Sequence, residues 1–224
     1  MKKTLEHLLF HEFNTPMNGI FGLTECLEQK AQQRNDNELL ELCEQLKASA
    51  SRLCNTFSKL AILIQCANDA STAIKNVAQV DICQTLQTAS TQISIKHNRQ
   101  DDLVLNCKVR SFLRANKNFF QAVLCEIIDN AFKFSQPGKK VTISADATWD
   151  KIKIRIADEG KSANAKWLSD SLEPYRQYNR ELHEQQGLGV GLALAHAIIN
   201  SYKGTITFED NQPSGIVVNI VFVL

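Results

Sequence analysis

No stretch of this 224-residue chain approaches 18 consecutive apolar residues, so a membrane-spanning helix is not expected, and the N-terminus lacks the apolar core of a signal peptide. An excess of one charge is missing as well. Lys and Arg number 25 against 24 Asp and Glu, so no global field points to nucleic acid or to direct membrane contact. The seven cysteines (Cys26, Cys43, Cys54, Cys66, Cys83, Cys107 and Cys125) include no Cys-x-x-Cys pair, which argues against a zinc site. Most fall on apolar-periodic positions, where a free cysteine behaves as a small hydrophobe. A reducing, cytoplasmic compartment is therefore expected. What remains has the apolar and charged fractions of an ordinary globular protein, with room for one large or two small domains.

The most informative stretch is Glu126-Ile127-Ile128-Asp129-Asn130-Ala131-Phe132-Lys133-Phe134. It lies in a run from about Asn116 to Ser135 with Phe120, Val123, Leu124, Ile127, Ile128, Ala131 and Phe134 at helical spacing. Glu126, Asn130 and Lys133 then fall at i, i+4 and i+7 and form one polar stripe. A carboxylate, an amide and an ammonium in line are groups that can hold a hydrated Mg²⁺ and a polyphosphate. A solvated helix face has the same pattern, so the stripe acquires meaning only from the rest of the chain.

The first third reads as two long helices. Leu5, Leu8, Leu9, Phe13, Met17, Ile20, Leu23 and Leu27 lie three or four apart between Thr4 and about Lys30, and the polar stretch Gln32 to Asn37 breaks the pattern. Leu39, Leu42, Leu46, Ala50, Leu53, Phe57, Leu60 and Ile64 follow close to a heptad repeat. A short polar connection makes the pair an antiparallel hairpin. Two helices leave one side of their seam uncovered, so a homodimer completing a four-helix bundle is expected. Pro16 stands inside the first helix, where it removes a backbone bond at a cost of about 3 kcal/mol, and the turn before it holds His11, Glu12 and Thr15.

His11-Glu12-Phe13-Asn14-Thr15-Pro16-Met17-Asn18-Gly19-Ile20 resembles the H-box of sensor histidine kinases, and Glu126 to Phe134 resembles their N-box. Ile156-Ala157-Asp158-Glu159-Gly160 is similar to the first glycine box, and Gly187-Leu188-Gly189-Val190-Gly191-Leu192 to the second. The boxes occur in the family's order and span essentially the whole chain. Within the family, Asp129 to Ser135 and Glu184 to Gly187 are similar to receiver-linked hybrid kinases. The resemblance implies an α+β architecture: a dimerising phosphoacceptor hairpin over residues 1–70, then an ATP-binding catalytic domain over 71–224. That domain would be a two-layer α/β sandwich of the type shared with gyrase, Hsp90 and MutL.

Periodicity of the second part agrees. Val77 to Cys83 reads as a short strand, followed by a helix to about His97. Leu103 to Cys107 alternates, as do Val141 to Ala147 and Ile152 to Ile156, joined at Trp149-Asp150. Leu192 to Tyr202 reads as a helix stopped at Gly204, and Ile206-Phe208 and Ile216 to Phe222 supply the last strands around an Asn211–Gly215 turn. The sum is about five strands and three helices. The polar segment between Asp158 and Gly187, with Tyr175 and Tyr178, is the expected place for a mobile lid.

By resemblance, His11 is the phosphoacceptor, Glu12 holds its other ring nitrogen, and Thr15 positions a water that dephosphorylates the partner. Asp158 accepts a hydrogen bond from the adenine amino group beside Gly160. Gly187, Gly189, Gly191 and Leu192 bring backbone amides to the phosphates at a helix N-terminus. Lys133 supplies charge, and Asn130 with Glu126 oxygen for Mg²⁺. The implied partners are a second copy of the chain and the receiver domain of a response regulator. Three departures stand out: Ser162 replaces a glycine of the first box, Glu126 stands where many members have Asn, and Asn14 replaces the usual Arg. None deletes an indispensable group, and an active kinase is expected. The alternatives are a degenerate kinase acting as an ATP-binding scaffold or phosphatase only, and an ATP-driven clamp related to gyrase or MutL. The His11 box on a heptad hairpin argues against the clamp.

Overall fold

A computed structural model describes residues 2–68, 77–160, 165–170 and 190–224, with the side chains of 2–10, 65–68, Trp167 and Asp170 outside the description. It divides into two compact units, Met1–Ala61 and Ile62–Leu224.

The first unit holds helix α1 (Lys2–Arg34) and most of α2 (Asn37–Asn68), each longer than the apolar pattern alone marks out. Asn35 takes a left-handed φ of 51°. The Asn35 amide donates to Gln32 O at 3.2 Å and the Asp36 amide to Ala31 O at 2.9 Å, the paired bonds that end a helix at a left-handed residue. Asp36 then caps α2 by accepting from the Leu39 amide at 3.0 Å. One residue thus stops a helix and the next starts another. Phe13 stacks on Phe57 at 3.8 Å between ring centroids, and Lys47 pairs with Glu28, so the helices run antiparallel. Met17, Thr24, Ala31, Cys43 and Ala50 line the buried seam, while Leu23, Leu42, Leu46 and Leu53 remain exposed.

The second unit is a two-layer α/β sandwich. Strands β2 (Leu103–Cys107), β4 (Val141–Ala147), β5 (Lys151–Asp158), β6 (Gly204–Asp210) and β7 (Ile216–Val223) form one sheet in the order β2-β4-β5-β7-β6. Its pairings are antiparallel except β2 with β4. Helices α3 (Ile82–Lys96), α4 (Lys117–Phe134) and α6 (Val190–Ser201) supply the other apolar surface. The core gathers Ile143, Ile152, Ile154, Ile156, Ile220 and Phe222 from the sheet with Leu86, Phe120, Leu124, Ile127, Ile128, Leu194 and Ile198 from the helices. Phe120 meets Phe222 edge to face at 5.8 Å, an arrangement that aromatic rings favour.

Three expectations are corrected. A two-stranded sheet of β1 (Ala78–Asp81) and β3 (Phe112–Ala115) stands apart from the main sheet. With the short helix α5 (Ala165–Asp170), the described residues therefore exceed five strands and three helices. Strand β3 is only four residues long, too short for alternation to register. Helix α6 is ended by Tyr202 and Lys203, the latter at φ 56°, and not by Gly204. Gly204 already belongs to β6, where a Cβ would press on the Phe222 ring and Ile199. Finally, Cys83 and Cys107, expected as free packing residues, form a disulfide between the start of α3 and the end of β2. Their 24-residue separation carries no pairing motif; only the packing of α3 on β2 brings them together. Cys26, Cys43, Cys54 and Cys125 are free.

Among the described residues no helix is long and apolar enough to cross a membrane. A disulfide closing 24 residues stabilises by about 3 kcal/mol on the loop-closure relation. Reduction, or Cys83→Ser with Cys107→Ser, is accordingly expected to lower the melting temperature of the second unit by about 10 °C in calorimetry. Equal melting with and without reductant, together with seven titratable thiols in the untreated chain, would show that the bridge does not form.

Candidate functional site

The site is built on α4 and the end of β5. Asn116 caps α4 by accepting from the amides of Asn118 at 3.1 Å and Phe119 at 3.3 Å, and its own amide donates to the Tyr202 hydroxyl at 3.0 Å. The helix buries Phe120, Val123, Leu124, Ile127, Ile128, Ala131 and Phe132. Glu126 and Asn130 are left half-buried and Lys133 exposed along one side. On the flank facing α3, Asp129 accepts from Lys96 Nζ at 2.7 Å and pairs with His97 Nε2 at 2.9 Å. Burial pushes the Asp129 carboxyl up, but the bonds from Lys96 and His97 outweigh it and hold the group below the usual carboxylate range. Cys125 is a half-buried thiol pushed up to about 11 by burial, Glu126 and Asp129, and so is inert.

Strand periodicity explains the position of Asp158. Ile152, Ile154 and Ile156 point into the core on alternate residues of β5, and Asp158 is the next member of that series. Its side chain therefore lies under the helix layer and is 7% exposed. Oδ1 accepts from the Gly160 amide at 2.8 Å, the Ile216 amide also bonds the carboxylate, and Asn211 Nδ2 donates to the Asp158 carbonyl at 2.7 Å. Burial dominates these neutral donors and pushes the Asp158 carboxyl up.

Two glycines are required here by close approach. A Cβ on Gly160 would run into the Phe134 carbonyl at the end of α4 and lie 2.8 Å from Asp158 Oδ1. Gly215, at φ 105°, packs against the Asp158 carbonyl. A third contact joins α6 to α4, because a Cβ on Gly191 would collide with the Glu126 carboxylate. Thus Glu126, Gly191, Phe134, Gly160 and Asp158 are assembled around one helix. Leu192 packs half-buried against the core. Gly187, Gly189, Ser162, Tyr175 and Tyr178 lie outside the described residues, as does most of the expected lid; α5 falls within that segment. Among the described residues no group of three or more His, Cys, Asp or Glu side chains is placed to hold a metal ion.

In the hairpin unit, His11 is exposed on α1, with Nδ1 3.7 Å from Glu12 Oε1. The Thr15 hydroxyl donates to the His11 carbonyl at 2.8 Å, and α1 continues through Pro16. Asn14 is exposed beside them.

Sequence reading missed Arg99, Asp102, Asn211 and Gly215. Of these only the Asn211–Gly215 turn left a signal, as a turn. Arg99 has none, since a single arginine between a helix and a strand is ordinary.

Residues 115–224 match the family model of the histidine kinase-, DNA gyrase B- and HSP90-like ATPases. That stretch is a domain of this ATPase family. The chain is 26% identical over 218 residues to the sensory/regulatory protein RpfC of Xanthomonas campestris pv. campestris, covering 92% of this chain and 29% of RpfC. It is 24% identical over 212 residues to the heme sensor protein HssS of Staphylococcus saprophyticus, covering 95% and 44%. Among solved structures, full-length ShkA in complex with AMPPNP shares the fold with a TM-score of 0.75 at 20% identity, covering 98% of this chain and 45% of ShkA. The Acinetobacter baumannii histidine kinase AdeS does so at 0.61 and 22%, covering 95% and 97%. Over its length the chain shares the fold of these structures, and it spans less than half the length of RpfC or HssS.

The raised Asp158 carboxyl has a consequence for stability. A folded-state value above the unfolded one means the ionised group costs nothing below about pH 4 and destabilises progressively as pH rises through the folded value. Asp158→Asn is expected to melt at the same temperature as wild type or slightly higher at pH 7, and to flatten the fall in melting temperature above pH 4. A marked loss of stability at pH 7 would contradict this assignment.

Proposed function

We propose that the chain is a two-component histidine kinase core. It phosphorylates its own His11 from Mg²⁺-ATP and passes the phosphoryl group to an aspartate of a response-regulator receiver domain. The observation that carries this reading is the convergence on α4: the Glu126 carboxylate against Gly191 at the start of α6, and the Gly160–Asp158 strand end against the Phe134 carbonyl.

A buried carboxylate held, among the described residues, by the neutral amides of Gly160 and Ile216 suits the exocyclic amino group of adenine. The first turn of α6 has backbone amides with no partner inside the helix, which favours phosphate. Glu126 and Asn130 offer hard oxygen and amide ligands beside it, and Mg²⁺ is ordinarily held by one or two such groups together with substrate phosphates. Lys133 adds positive charge. These residues fit the metal–nucleotide pair, whose metal would neutralise charge on the transferring group. Gly187 and Gly189 are assigned to the phosphates by the same motif.

The neutral imidazole of His11 attacks the γ-phosphorus in line, forming an N–P bond as the bond to the ADP oxygen breaks. Glu12, 3.7 Å from Nδ1, stabilises the positive charge that develops on the ring. Thr15, one turn on, positions a water for hydrolysis of the phosphorylated receiver aspartate. Pairing of two hairpins through Leu23, Leu42, Leu46 and Leu53 would complete a four-helix bundle and cover their exposed side chains. The cytoplasm is the compartment in which ATP and a receiver domain meet.

Incubation with γ-labelled ATP and Mg²⁺ tests the reading. Wild type should acquire acid-labile, alkali-stable label, and both His11→Gln and Asn130→Asp should lose it. Full labelling of His11→Gln would overturn the phosphoacceptor assignment. Binding of ATP by wild type without any label would replace the kinase with an ATP-binding scaffold or phosphatase.

A further inference from the structure

Arg99 lies between α3 and β2, outside every motif, and is 7% exposed. Its Nε donates to Asp102 Oδ2 at 2.7 Å. One terminal nitrogen donates to the Phe132 carbonyl at 2.7 Å, the Ser135 carbonyl at 2.8 Å and Ser135 Oγ at 3.1 Å. The other donates to the Gln136 carbonyl at 2.7 Å and the Lys139 carbonyl at 2.8 Å. The guanidinium also sits over the Phe132 ring, 5.1 Å from its centroid. Every N–H of the fork is used, and Asp102 balances the charge while accepting from the Gly138 amide at 2.9 Å.

The carbonyls so held belong to the end of α4 and the loop that leaves it. That loop starts at Phe134, whose carbonyl leaves no room for a Cβ on Gly160. It ends at Val141, which pairs in register with Asp158. On the way Lys140 N approaches Glu159 Oε2 at 3.4 Å. Both ends of the segment filled by Arg99 therefore abut the Asp158–Gly160 strand end, and Asn130 and Lys133 lie within one turn of the Phe132 carbonyl. The guanidinium occupies the middle of this loop and donates to four carbonyls of the segment, of which that of Gln136 also has a backbone partner, the Lys139 amide at 3.1 Å.

From this we infer that Arg99, with Asp102 as its counter-ion, is a positioning residue for the nucleotide: it fixes the separation between the α4 groups that face the phosphates and metal and the Asp158 carboxylate that faces adenine. The inference rests on the nucleotide reading given above. Lysine cannot substitute, because its donors radiate from one nitrogen and cannot reach carbonyls spread from Phe132 to Lys139.

The test is calorimetric titration of the full chain with the non-hydrolysable analogue AMPPNP and Mg²⁺, comparing wild type, Arg99→Lys and Asp102→Asn well below their melting temperatures. For Arg99→Lys the expected result is about one site per chain with the Kd raised at least tenfold, and a narrowed preference for adenine over guanine triphosphate. Asp102→Asn, which retains the fork and an oxygen for Gly138, should show a smaller rise in Kd. Fewer sites at an unchanged Kd would show that Arg99 serves folding alone, and an unchanged Kd at full stoichiometry would likewise overturn the inference. Absence of binding by wild type would overturn the nucleotide reading and this inference with it, which distinguishes the two failures.

Discussion

A carboxylate placed at the end of a run of core isoleucines is the constraint to which the rest of the second unit is fitted. Alternation along β5 leaves no choice about where the Asp158 side chain goes once Ile152, Ile154 and Ile156 are buried. Among the described residues, the backbone closes around a partly desolvated charge without a cation. It does so with amides from Gly160 and Ile216, and with chain approaches at Gly160 and Gly215 that exclude any side chain. Ionised groups with their bonding capacity only partly used by the fold, in an environment that penalises their charge, are where a ligand gains most by binding. The fold tolerates this because the surrounding sheet is continuous and apolar.

Two other partly buried aspartates sharpen the point. Asp102 is held below the usual range first by the Arg99 fork. Asp129 is held down by Lys96 and His97 against the pull of burial. Each has a cation as partner and a structural task, one at the exit of α4 and the other between α3 and α4. Asp158 alone of the three is pushed up. All three carboxylates flank the same helix or its exit, so the distinction lies in their partners and not in their location.

How much of this was legible in the sequence depended on the range of the interaction. Period-two and period-3.6 patterns located β2, β4, β5, β7 and α4, because those elements bury one face and repeat long enough to show it. The polar stripe of α4 and the placement of Asp158 follow from the same periodicities. The Cys83–Cys107 bridge, the six-bonded Arg99 and the β1–β3 pair were not legible. Each joins positions many residues apart whose local sequence is ordinary: 24 residues for the disulfide and up to 40 for Arg99 to Lys139. A lone arginine followed by Gln100 and two aspartates reads as a solvated turn until α4 is seen to end above it.

Helices α4 and α1 are held in contrasting ways. Helix α4 is pinned at both ends, by Asn116 and Tyr202 at its start and by Arg99 at its exit. The nucleotide site proposed on it would gain from such fixity, since charge stabilisation depends on groups that need not reorganise. Helix α1 is weakened where α4 is strengthened. Pro16 has no amide to give the Glu12 carbonyl, and the Thr15 hydroxyl adds a second donor at the His11 carbonyl. The backbone beneath His11 thus has one carbonyl short of its helical partner and the next oversupplied. The imidazole itself stays 68% exposed. On the kinase reading proposed above, an acceptor that must meet both a nucleotide and a receiver aspartate would need compliance and access, and a proline one turn beyond it would supply the first without costing the second. Phe13 stacks on Phe57 beside this turn and ties α1 to α2 where the proline leaves a helical bond unmade.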